Sequence, residues 1–259
     1  MKELALSSGE RQSQIQRFIE QMERVSVEQL CETFEISLAT ARRDLDALAK
    51  DGKIQRIHGG AIALLSAPPE PPLSLRSAEQ SDEKRRIGKV GADLVEDGDT
   101  VFLGSGTTVL EVAYNLRRRA ANITAITNSL LAINALAGIP NIQLISLGGV
   151  LRQSEMSFIG HITEQALSQV RADKVFIGIH AIDVKTGLTN DYLPETQTDR
   201  SILNIGQQVI VVADHTKCAR VSTTLVAPLN TIHTFVTDDL AAPDFLAEVA
   251  ALGVRVLAV

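Results

Sequence analysis

Apolar residues in the first 50 positions recur at helical spacing and predict three consecutive helices. The first helix is expected over residues 9–23, on a stripe made of Ile15, Phe18, Ile19 and Met22. A second helix is expected to begin at Ser26, because Ser26 and Gln29 have the spacing of a capping box. A tight turn at residues 35–37 then leads to a third helix, whose apolar stripe is Leu38, Ala41, Leu45 and Leu48. Helices joined by such a turn indicate a helix-turn-helix.

The pattern changes at two points after the third helix. Asp51 and Gly52 end that helix, and residues 53–57 alternate between polar and apolar residues as a short wing strand does. Farther on, residues 68–72 contain half of the eight prolines, which indicates a semi-rigid spacer. We therefore predict three segments: a winged helix-turn-helix domain over residues 1–63, a proline-rich linker over 64–80 and a second domain over 81–259.

Beyond residue 81, short apolar runs alternate with helical stripes. After a helix predicted over 82–96, the expected strands are residues 101–103, 123–127, 142–147, 174–179, 209–213, 232–237 and 254–259. Buried runs that alternate with helices are typical of a mostly parallel sheet with helices on both faces. The predicted fold class is an α+β winged helix-turn-helix domain joined to an α/β domain with a mostly parallel sheet.

Composition narrows the class of protein. The chain has 259 residues, of which 45% are hydrophobic, enough for one small and one medium-sized domain. Two cysteines argue against a disulfide framework, and the five histidines lack the spacing of metal ligands, so we expect no metal and no cofactor. Neither a signal segment nor a membrane-spanning apolar run is apparent, so we expect a cytoplasmic protein. The net charge of −6 disfavours indiscriminate nucleic-acid binding but not a local DNA-binding face.

The beginning of the third helix carries side chains of the types that contact DNA. Ser37 is a good N-cap, and two adjacent arginines near a helix N-terminus suit contacts to phosphate and to guanine in the major groove. The predicted DNA-binding residues are Ser37, Thr40, Arg42, Arg43, Lys53, Arg56 and His58. The alternative is a small helical bundle with solvated arginines, since residues 1–60 hold nine Lys and Arg against ten Asp and Glu.

The loops that follow the predicted strands carry small, hydroxyl and charged residues. In a parallel sheet such loops meet at the carboxyl ends of the strands, where ligands bind. Residues 104–108 open a helix, and their backbone amides and hydroxyls suit an anion. The other loops are residues 127–129, 148–149 followed by Arg152, 180–183 and 214–217. Each alone could be an ordinary turn or helix cap, but their convergence favours a small polar ligand.

Two motifs connect the chain to a known family. The sequences TARRDL at residues 40–45 and RIHGGA at residues 56–61 resemble the signature of DeoR-family bacterial transcription regulators. The resemblance runs from about residue 10 to the C-terminus. It implies an N-terminal winged helix and a C-terminal sugar-phosphate sensor domain related in fold to ribose-5-phosphate isomerase and coenzyme A transferases. Two residues depart from the family pattern: Ala41 stands where a larger residue is usual, and Gly104 stands where many relatives have Asp.

The same resemblance assigns residues to the effector. The loop at residues 105–108 should hold its phosphate, and the other loops should line the pocket or flank the sugar. The predicted effector-binding residues are Lys84, Ser105, Gly106, Thr107, Thr108, Thr127, Asn128, Ser129, Gly148, Gly149, Arg152, Asp183 and Lys217. Lys84 matches a recurrent lysine of the family, but a solvated surface lysine in a charged run is an equal alternative.

These inferences predict a DNA-binding transcriptional regulator and not an enzyme. We expect a repressor of a carbohydrate-metabolism operon that is switched by a phosphorylated sugar. Its expected partners are double-stranded operator DNA, the sugar phosphate and further copies of the chain, as a dimer or tetramer. One alternative is a sugar-phosphate isomerase-type enzyme with a DNA-binding domain, in which Asp183 or Glu195 acts with Lys217. Another is a ligand-independent DNA binder whose second domain only oligomerises.

Overall fold

The structure is a computed structural model that describes residues 8–22, 24–50, 54–57, 59–63, 71 and 73–259. These residues form two compact units, which divide between Ser66 and Ala67. The first unit has one hydrophobic core and the second has two. Among the helices of this described part, none is long and apolar enough to span a membrane.

The first unit consists of three helices and a three-stranded antiparallel sheet. In chain order its elements are α1 (Ser8–Met22), β1 (Arg24–Ser26), α2 (Val27–Phe34), α3 (Leu38–Lys50), β2 (Ile54–Ile57) and β3 (Gly60–Ala63). The strand order is β1-β3-β2. The helical stripes supply the core, whose buried side chains include Ile15, Ile19, Leu30, Leu45 and Leu48. The predicted winged helix-turn-helix fold is confirmed.

Local hydrogen bonds fix the starts of α2 and α3. Ser26 N donates to Gln29 Oε1 at 2.8 Å and Gln29 N donates to Ser26 Oγ at 3.1 Å, so the predicted capping box is present. Glu35 ends α2 in a left-handed conformation, with φ of 51°, which turns the chain toward α3. Thr40 N then donates to Ser37 Oγ at 3.2 Å, as the predicted N-cap of α3 requires.

The inward face of α3 differs from the predicted stripe at one position. Ala41, Leu45 and Leu48 are buried, but Leu38 is 50% exposed. Leu38 is the first residue of α3, one turn before the packed stripe begins at Ala41. The prediction of Leu38 as a core residue was therefore wrong.

A buried carboxylate, Asp44, shares the inward face of α3. It is 1% exposed, and it accepts hydrogen bonds from Arg11 Nε at 2.7 Å and from Gln12 Nε2 at 3.0 Å, both on α1. Burial opposes ionisation of Asp44, but the hydrogen bonds from Arg11 and Gln12 outweigh it and hold the pKa of the carboxyl below its ordinary value. Asp44 thus joins α3 to α1 through a charged group.

The second unit begins with a helix inside the predicted linker. The helices of this unit are α4 (Leu73–Ala78), α5 (Ser81–Asp93), α6 (Thr107–Leu116), α7 (Leu130–Leu136), α8 (His161–Leu167), α9 (Leu193–Leu203) and α10 (Pro243–Ala251). Arg76 of α4 is buried, and its Nε donates to Pro71 O at 2.9 Å. The prediction of a linker over 64–80 therefore needs correction at residues 73–80, which belong to the second unit. Residues 64–70 and 72 lie outside the described residues.

The strands of the second unit form one large sheet and two small ones. They are β4 (Thr100–Leu103), β5 (Ile123–Thr127), β6 (Ile142–Ser146), β7 (Val150–Arg152), β8 (Ser157–Ile159), β9 (Ala172–Ile177), β10 (Ala181–Asp183), β11 (Gly187–Asn190), β12 (Gly206–Val212), β13 (Thr224–Ala227), β14 (Thr234–Thr237) and β15 (Arg255–Ala258). The large sheet has the order β15-β14-β12-β9-β4-β5-β6, with all neighbours parallel. Each of its seven strands overlaps a predicted strand, so the parallel sheet is confirmed.

Helices cover both faces of the large sheet. Each strand contributes to both hydrophobic clusters, because alternate residues of a strand point to opposite faces. In β4, Val101 and Leu103 belong to one hydrophobic cluster and Phe102 belongs to the other. Side chains of α5, α6 and α7 complete the first cluster, and those of α8, α9 and α10 complete the second.

The two small antiparallel sheets were missed by the sequence analysis. β7 pairs with β8, and β11 lies between β10 and β13. Their strands are three or four residues long, too short for an apolar run to stand out. These sheets carry Arg152 on β7, Asp183 on β10 and Asn190 on β11.

Candidate functional site

The first turns of α3 form the candidate DNA-binding surface. Arg42 and Arg43 are exposed, and the hydroxyls of Ser37 and Thr40 lie 2.9 Å apart. The stripe of α3 is turned into the core, so the two guanidinium groups lie on the outer side of the helix. An exposed pair of arginines at this place suits contacts to phosphate and to base edges in a major groove.

Arg56, which was predicted to contact DNA, makes two contacts within the first unit. Its Nη1 donates to Gly60 O at 2.9 Å, and its Nε lies 3.1 Å from a carboxylate oxygen of Asp46 on α3. Asp46 is exposed, so this ion pair contributes little to stability. Arg56 therefore connects the β2–β3 hairpin to α3. Two further predicted DNA contacts, Lys53 and His58, lie outside the described residues.

A partly open cavity lies at the carboxyl ends of β4, β9 and β12. Residues 105–108, 178–180 and 212–214, which follow or end these strands, form part of its wall. Among the other lining residues are Arg76, Lys84, Glu155, Asn190, Glu195, Asp199 and Lys217.

One part of the cavity wall carries groups of the kind that bind anions. Residues 105–108 lead into α6, and Gly106, the N-cap of α6, has a φ of 102° that favours glycine. Because Gly106 has no side chain, it offers no cap to the amides of the first turn, which carry partial positive charge. Lys84 and Lys217 line the same cavity. Six predicted effector-binding residues are thus brought together: Lys84, Ser105, Gly106, Thr107, Thr108 and Lys217.

Lys84 connects this cavity to α4. The lysine is 5% exposed, so the alternative of a solvated surface lysine is wrong. Its Nζ donates to Arg76 O at 2.5 Å and to Glu79 O at 2.7 Å, at the end of α4. Burial lowers the pKa of Lys84 below its ordinary value, and the nearby Asp214 carboxylate partly offsets that effect.

Another part of the cavity wall carries the carboxyl groups of Glu155, Glu195 and Asp199. Arg76 forms an ion pair with Glu155, and Arg152 forms one with Glu195. Arg152 does not line the cavity itself, although it was predicted to; its guanidinium also lies over the ring of Tyr192, 4.3 Å from the centroid. Arg152 therefore reaches the cavity only through Glu195.

Asp199 is the third carboxyl group on this side. It lies one helical turn after Glu195 on α9, and it accepts a hydrogen bond from Asn190 Nδ2. Burial and the neighbouring charge of Glu195 raise the pKa of Asp199 well above its ordinary value. Asp199 is therefore a buried acid that resists ionisation.

The predicted loop at residues 127–129 is a strand–helix junction outside the cavity lining. Thr127 Oγ1 donates to Leu103 O at 2.6 Å, and Asn128 Nδ2 donates to Phe158 O at 2.9 Å. Ser129 is the N-cap of α7. The hydrogen bonds of Thr127, Asn128 and Ser129 correspond to the alternative of an ordinary turn and helix cap.

Two other predicted contacts, residues 148–149 and Asp183, also lie outside the cavity lining. Thr163 Oγ1 donates to Gly148 O at 2.8 Å, which fixes the loop that contains Gly149. Asp183 Oδ1 accepts from Lys185 N at 3.0 Å and from Thr186 N at 2.7 Å. Asp183 therefore closes the turn between β10 and β11.

The sequence analysis missed six charged or amide residues of the cavity: Arg76, Glu79, Gln80, Glu155, Asn190 and Asp199. None of them follows a strand of the large sheet, which is where the search for ligand groups was made. The pattern of α9 did hold a clue, because Glu195 and Asp199 continue the stripe of the buried Ile202 at spacings of four and three. Polar residues on an inward stripe indicate a functional or paired site.

Comparisons with known proteins agree with both units. The model of the DeoR-like helix-turn-helix domain matches residues 11–67, and that of the DeoR C terminal sensor domain matches residues 79–239. Over 233 residues the chain is 35% identical to the transcriptional repressor AccR of Agrobacterium fabrum, with 90% of each chain covered. It is 32% identical to a putative aga operon transcriptional repressor of Escherichia coli O157:H7 (97% and 94% covered) and 34% identical to the glycerol-3-phosphate regulon repressor of Escherichia coli K12 (90% and 92% covered).

Solved structures give weaker likenesses. Ribose 5-phosphate isomerase A of Methanocaldococcus jannaschii aligns with a TM-score of 0.41 and 19% identity, over 54% of this chain and 55% of that one. The translation initiation factor eIF-2B of Pyrococcus horikoshii aligns with a TM-score of 0.41 and 15% identity, over 85% and 70%. At these scores the likeness assigns neither a reaction nor a ligand.

Proposed function

Since this chain belongs to the DeoR family of transcriptional regulators, we propose that it represses a carbohydrate-metabolism operon and that a phosphorylated sugar in the cavity switches its binding to operator DNA. The relatives named as repressors of the aga operon and of the glycerol-3-phosphate regulon support the regulatory half. One observation carries the sensor half. Lys84 and Lys217 line the same cavity as the uncapped start of α6.

In this proposal α3 is the helix that enters the major groove. Its exposed Arg42 and Arg43 contact phosphates or base edges, and the Ser37–Thr40 turn sets the first turn of the helix. The chain carries a net charge of −6, so a few local contacts must supply the affinity. A dimer or tetramer supports this requirement, because two copies of α3 then bind two half-sites.

The phosphate of the effector binds at the start of α6. Backbone amides of Thr107 and Thr108, their hydroxyls and the two lysines together offer donors and positive charge to a dianion. Gly106 has no side chain, so the backbone can approach the phosphate closely. Its φ of 102° also favours glycine. The carboxyl-rich side of the cavity then faces the hydroxyl groups of the sugar.

Helix α4 is the element through which the ligand acts. The ammonium group of Lys84 is bonded to two carbonyls at the end of α4, and Arg76 of α4 is paired with Glu155. An anion that accepts a hydrogen bond from Lys84 competes with those carbonyls, so ligand binding changes the hydrogen bonds that stabilise the end of α4. Because α4 is the first helix after the DNA-binding unit along the chain, a change there alters operator affinity.

The DNA half is tested by fluorescence anisotropy with a labelled fragment from upstream of the gene. Arg42→Ala and Arg43→Ala should each weaken binding, and a lost phosphate contact should reduce the salt slope by about 1. Arg117→Ala removes an exposed arginine of the second unit and is the matched control. Unchanged affinity in both α3 variants would contradict the assignment of α3.

The sensor half is tested on the bound complex with a panel of pentose, hexose and triose phosphates. At least one of them should change the anisotropy, and Lys217→Ala should weaken that response. The same compounds, incubated with the protein alone, should give no isomerised product. Product formation would favour the isomerase alternative, and binding that ignores the whole panel would contradict the cavity as a sugar-phosphate sensor.

A further inference from the structure

Three carboxyl groups on one side of the cavity have unequal surroundings. Two of them are matched by a guanidinium group, since Arg76 pairs with Glu155 and Arg152 pairs with Glu195. Ser157 Oγ adds a hydrogen bond to Glu195 Oε1 at 3.2 Å. Both glutamates are therefore paired with a cation. The third group, Asp199, is in contact with an amide instead.

We propose that Asp199 carries a proton at neutral pH and donates it in a hydrogen bond to the hydroxyl-bearing end of the bound sugar phosphate. Asp199 is then a specificity-determining residue, and ligand binding is linked to its proton. This inference rests on the proposed function, because it concerns the same cavity and names the group that reads the part of the ligand away from the phosphate.

The orientation of Asn190 identifies the oxygen that holds the proton. Asn190 Oδ1 accepts from His180 N at 3.2 Å, so its amide group is turned toward Asp199 and donates to Oδ2. An amide N–H only donates, so Oδ2 is an acceptor in this contact. The proton therefore belongs on Oδ1, the oxygen that Asn190 does not occupy. A protonated carboxyl in this setting offers a donor to a ligand hydroxyl.

The charges around Asp199 favour the same protonation state. Glu195 precedes it by one turn of α9 and is paired with Arg152. A second negative charge beside Glu195 in a buried place is unfavourable. Glu155 adds to this effect, and the hydrogen bond from Asn190 and the charge of Arg152 partly offset it. The pKa of Asp199 is accordingly raised well above its ordinary value, first by burial and then by Glu195.

The protonation of Asp199 is tested without any ligand by comparison of the wild type with Asp199→Asn. The variant keeps the shape and the hydrogen-bond donor of a protonated aspartate. A raised pKa in the folded protein means that stability falls as pH rises from the ordinary aspartate pKa to the raised one, and is constant above it. Across that window the unfolding equilibrium constant of the wild type should rise about tenfold per pH unit relative to the variant. Asp244→Asn, an exposed aspartate in the first turn of α10, should show no such change.

A wild type that parallels Asp199→Asn over the whole pH range would overturn the proposal. If the variant fails to fold, carbon-13 NMR of aspartate-labelled wild-type protein gives the same answer, because the carboxyl shift reports its proton. A carboxyl resonance of Asp199 that titrates with the ordinary aspartate pKa would refute the proposal.

The ligand half is tested by titration calorimetry with inorganic phosphate, glycerol 3-phosphate, ribose 5-phosphate and glucose 6-phosphate. For the sugar or polyol phosphate that binds best, Asp199→Ala should weaken binding about tenfold, the worth of one hydrogen bond. Asp199→Asn should retain affinity, and the affinity of the wild type relative to this variant should fall as pH rises through the raised pKa of Asp199. The ionisation of the phosphate itself affects both proteins alike and cancels in that ratio. Inorganic phosphate should bind all three proteins equally.

The outcomes separate the two levels of the proposal. If inorganic phosphate and every sugar phosphate fail to bind, the proposed function fails, and the ligand role of Asp199 fails with it. If inorganic phosphate binds but no sugar phosphate binds more tightly, or if Asp199→Ala binds as the wild type does, only the role of Asp199 is refuted. An affinity of the wild type that rises with pH relative to that of Asp199→Asn would also refute it, since Asp199 would then act as an anion.

Discussion

Replacement of Asp44 by alanine should destabilise the first unit through the loss of one buried acceptor. Asp44 accepts from Arg11 Nε at 2.7 Å, Arg11 Nη2 at 3.3 Å and Gln12 Nε2 at 3.0 Å, and these bonds join α3 to α1. The side chain of Asp44 is 2% exposed and that of Arg11 is 22% exposed. The variant therefore leaves a partly buried guanidinium group beside an apolar methyl group.

The expected loss in free energy of unfolding is about 2 kcal/mol. A hydrogen bond to a charged group contributes about 1.5–3 kcal/mol, and removal of one partner from a fully buried ion pair costs about 3–5 kcal/mol. The lower range applies, because Arg11 is near enough to solvent to be rehydrated in the variant. Asp46→Ala is the matched control on the same helix: Asp46 is 68% exposed and pairs with Arg56 at 3.1 Å, so its loss should cost less than about 1 kcal/mol.

The two units can be followed separately in the full chain. The chain has no tryptophan and two tyrosines, Tyr114 and Tyr192, both in the second unit, so tyrosine fluorescence reports that unit. Hydrogen exchange of peptides from α1 and α3 reports the first unit. Asp44→Ala should speed exchange in α1 and α3 and leave the tyrosine transition in place. Equal exchange in Asp44→Ala and Asp46→Ala would refute the reasoning.

The pH dependence of the same unit has a definite sign. Because the pKa of Asp44 is lowered in the folded protein, its contribution to stability is present above the ordinary aspartate pKa and is lost as pH falls through the lowered value. The difference in unfolding free energy between wild type and Asp44→Ala should therefore shrink on acidification. A difference that stays constant down to the acid transition would contradict an ionised Asp44.

Two further predictions concern single contacts. Lys84→Met removes the donor to Arg76 O and Glu79 O. Hydrogen exchange of the α4 amides should therefore become faster, and sugar phosphates should lose their effect on DNA binding. Exchange in α4 as slow as in the wild type would contradict a stabilising contact. Gly60→Ala would place a Cβ atom 2.1 Å from Val25 O, so β1 and β3 must separate and operator affinity should fall, as measured by anisotropy. The control is Gly9→Ala, where a Cβ meets no atom within 4 Å and affinity should be unchanged.

The strands of the large sheet could be predicted because burial on both faces requires nearly continuous apolar runs. β5 is an example: the run was predicted over 123–127, and the strand is Ile123–Thr127. β10 and β11 escaped for the opposite reason. Asp183 ends β10 and Asn190 ends β11, and each strand has only three or four residues in which to show a pattern.

The candidate site could be predicted only where chain neighbours form it. The turn at residues 105–108 is local, so its small residues and following helix are visible in the sequence. Asp44 lies between the buried Ala41, Leu45 and Leu48, so helical spacing alone places it on the inward face. Its partner Arg11 is 33 residues away, and no local rule connects the two. The same holds for Arg76 and Glu155, which are 79 residues apart.

Lys84 connects the cavity of the second unit to helix α4. A buried ammonium group needs acceptors, and here two of them are backbone carbonyls at the end of α4. A phosphate that takes a hydrogen bond from Lys84 must either share the ammonium group with those carbonyls or displace them. In the proposed mechanism the ligand-bound and ligand-free states then differ in the contacts of α4, and a ligand needs such a difference in order to shift an equilibrium between two states. By the reciprocity of linked binding, a state of α4 preferred by the operator changes the affinity of the cavity for phosphate by the same factor.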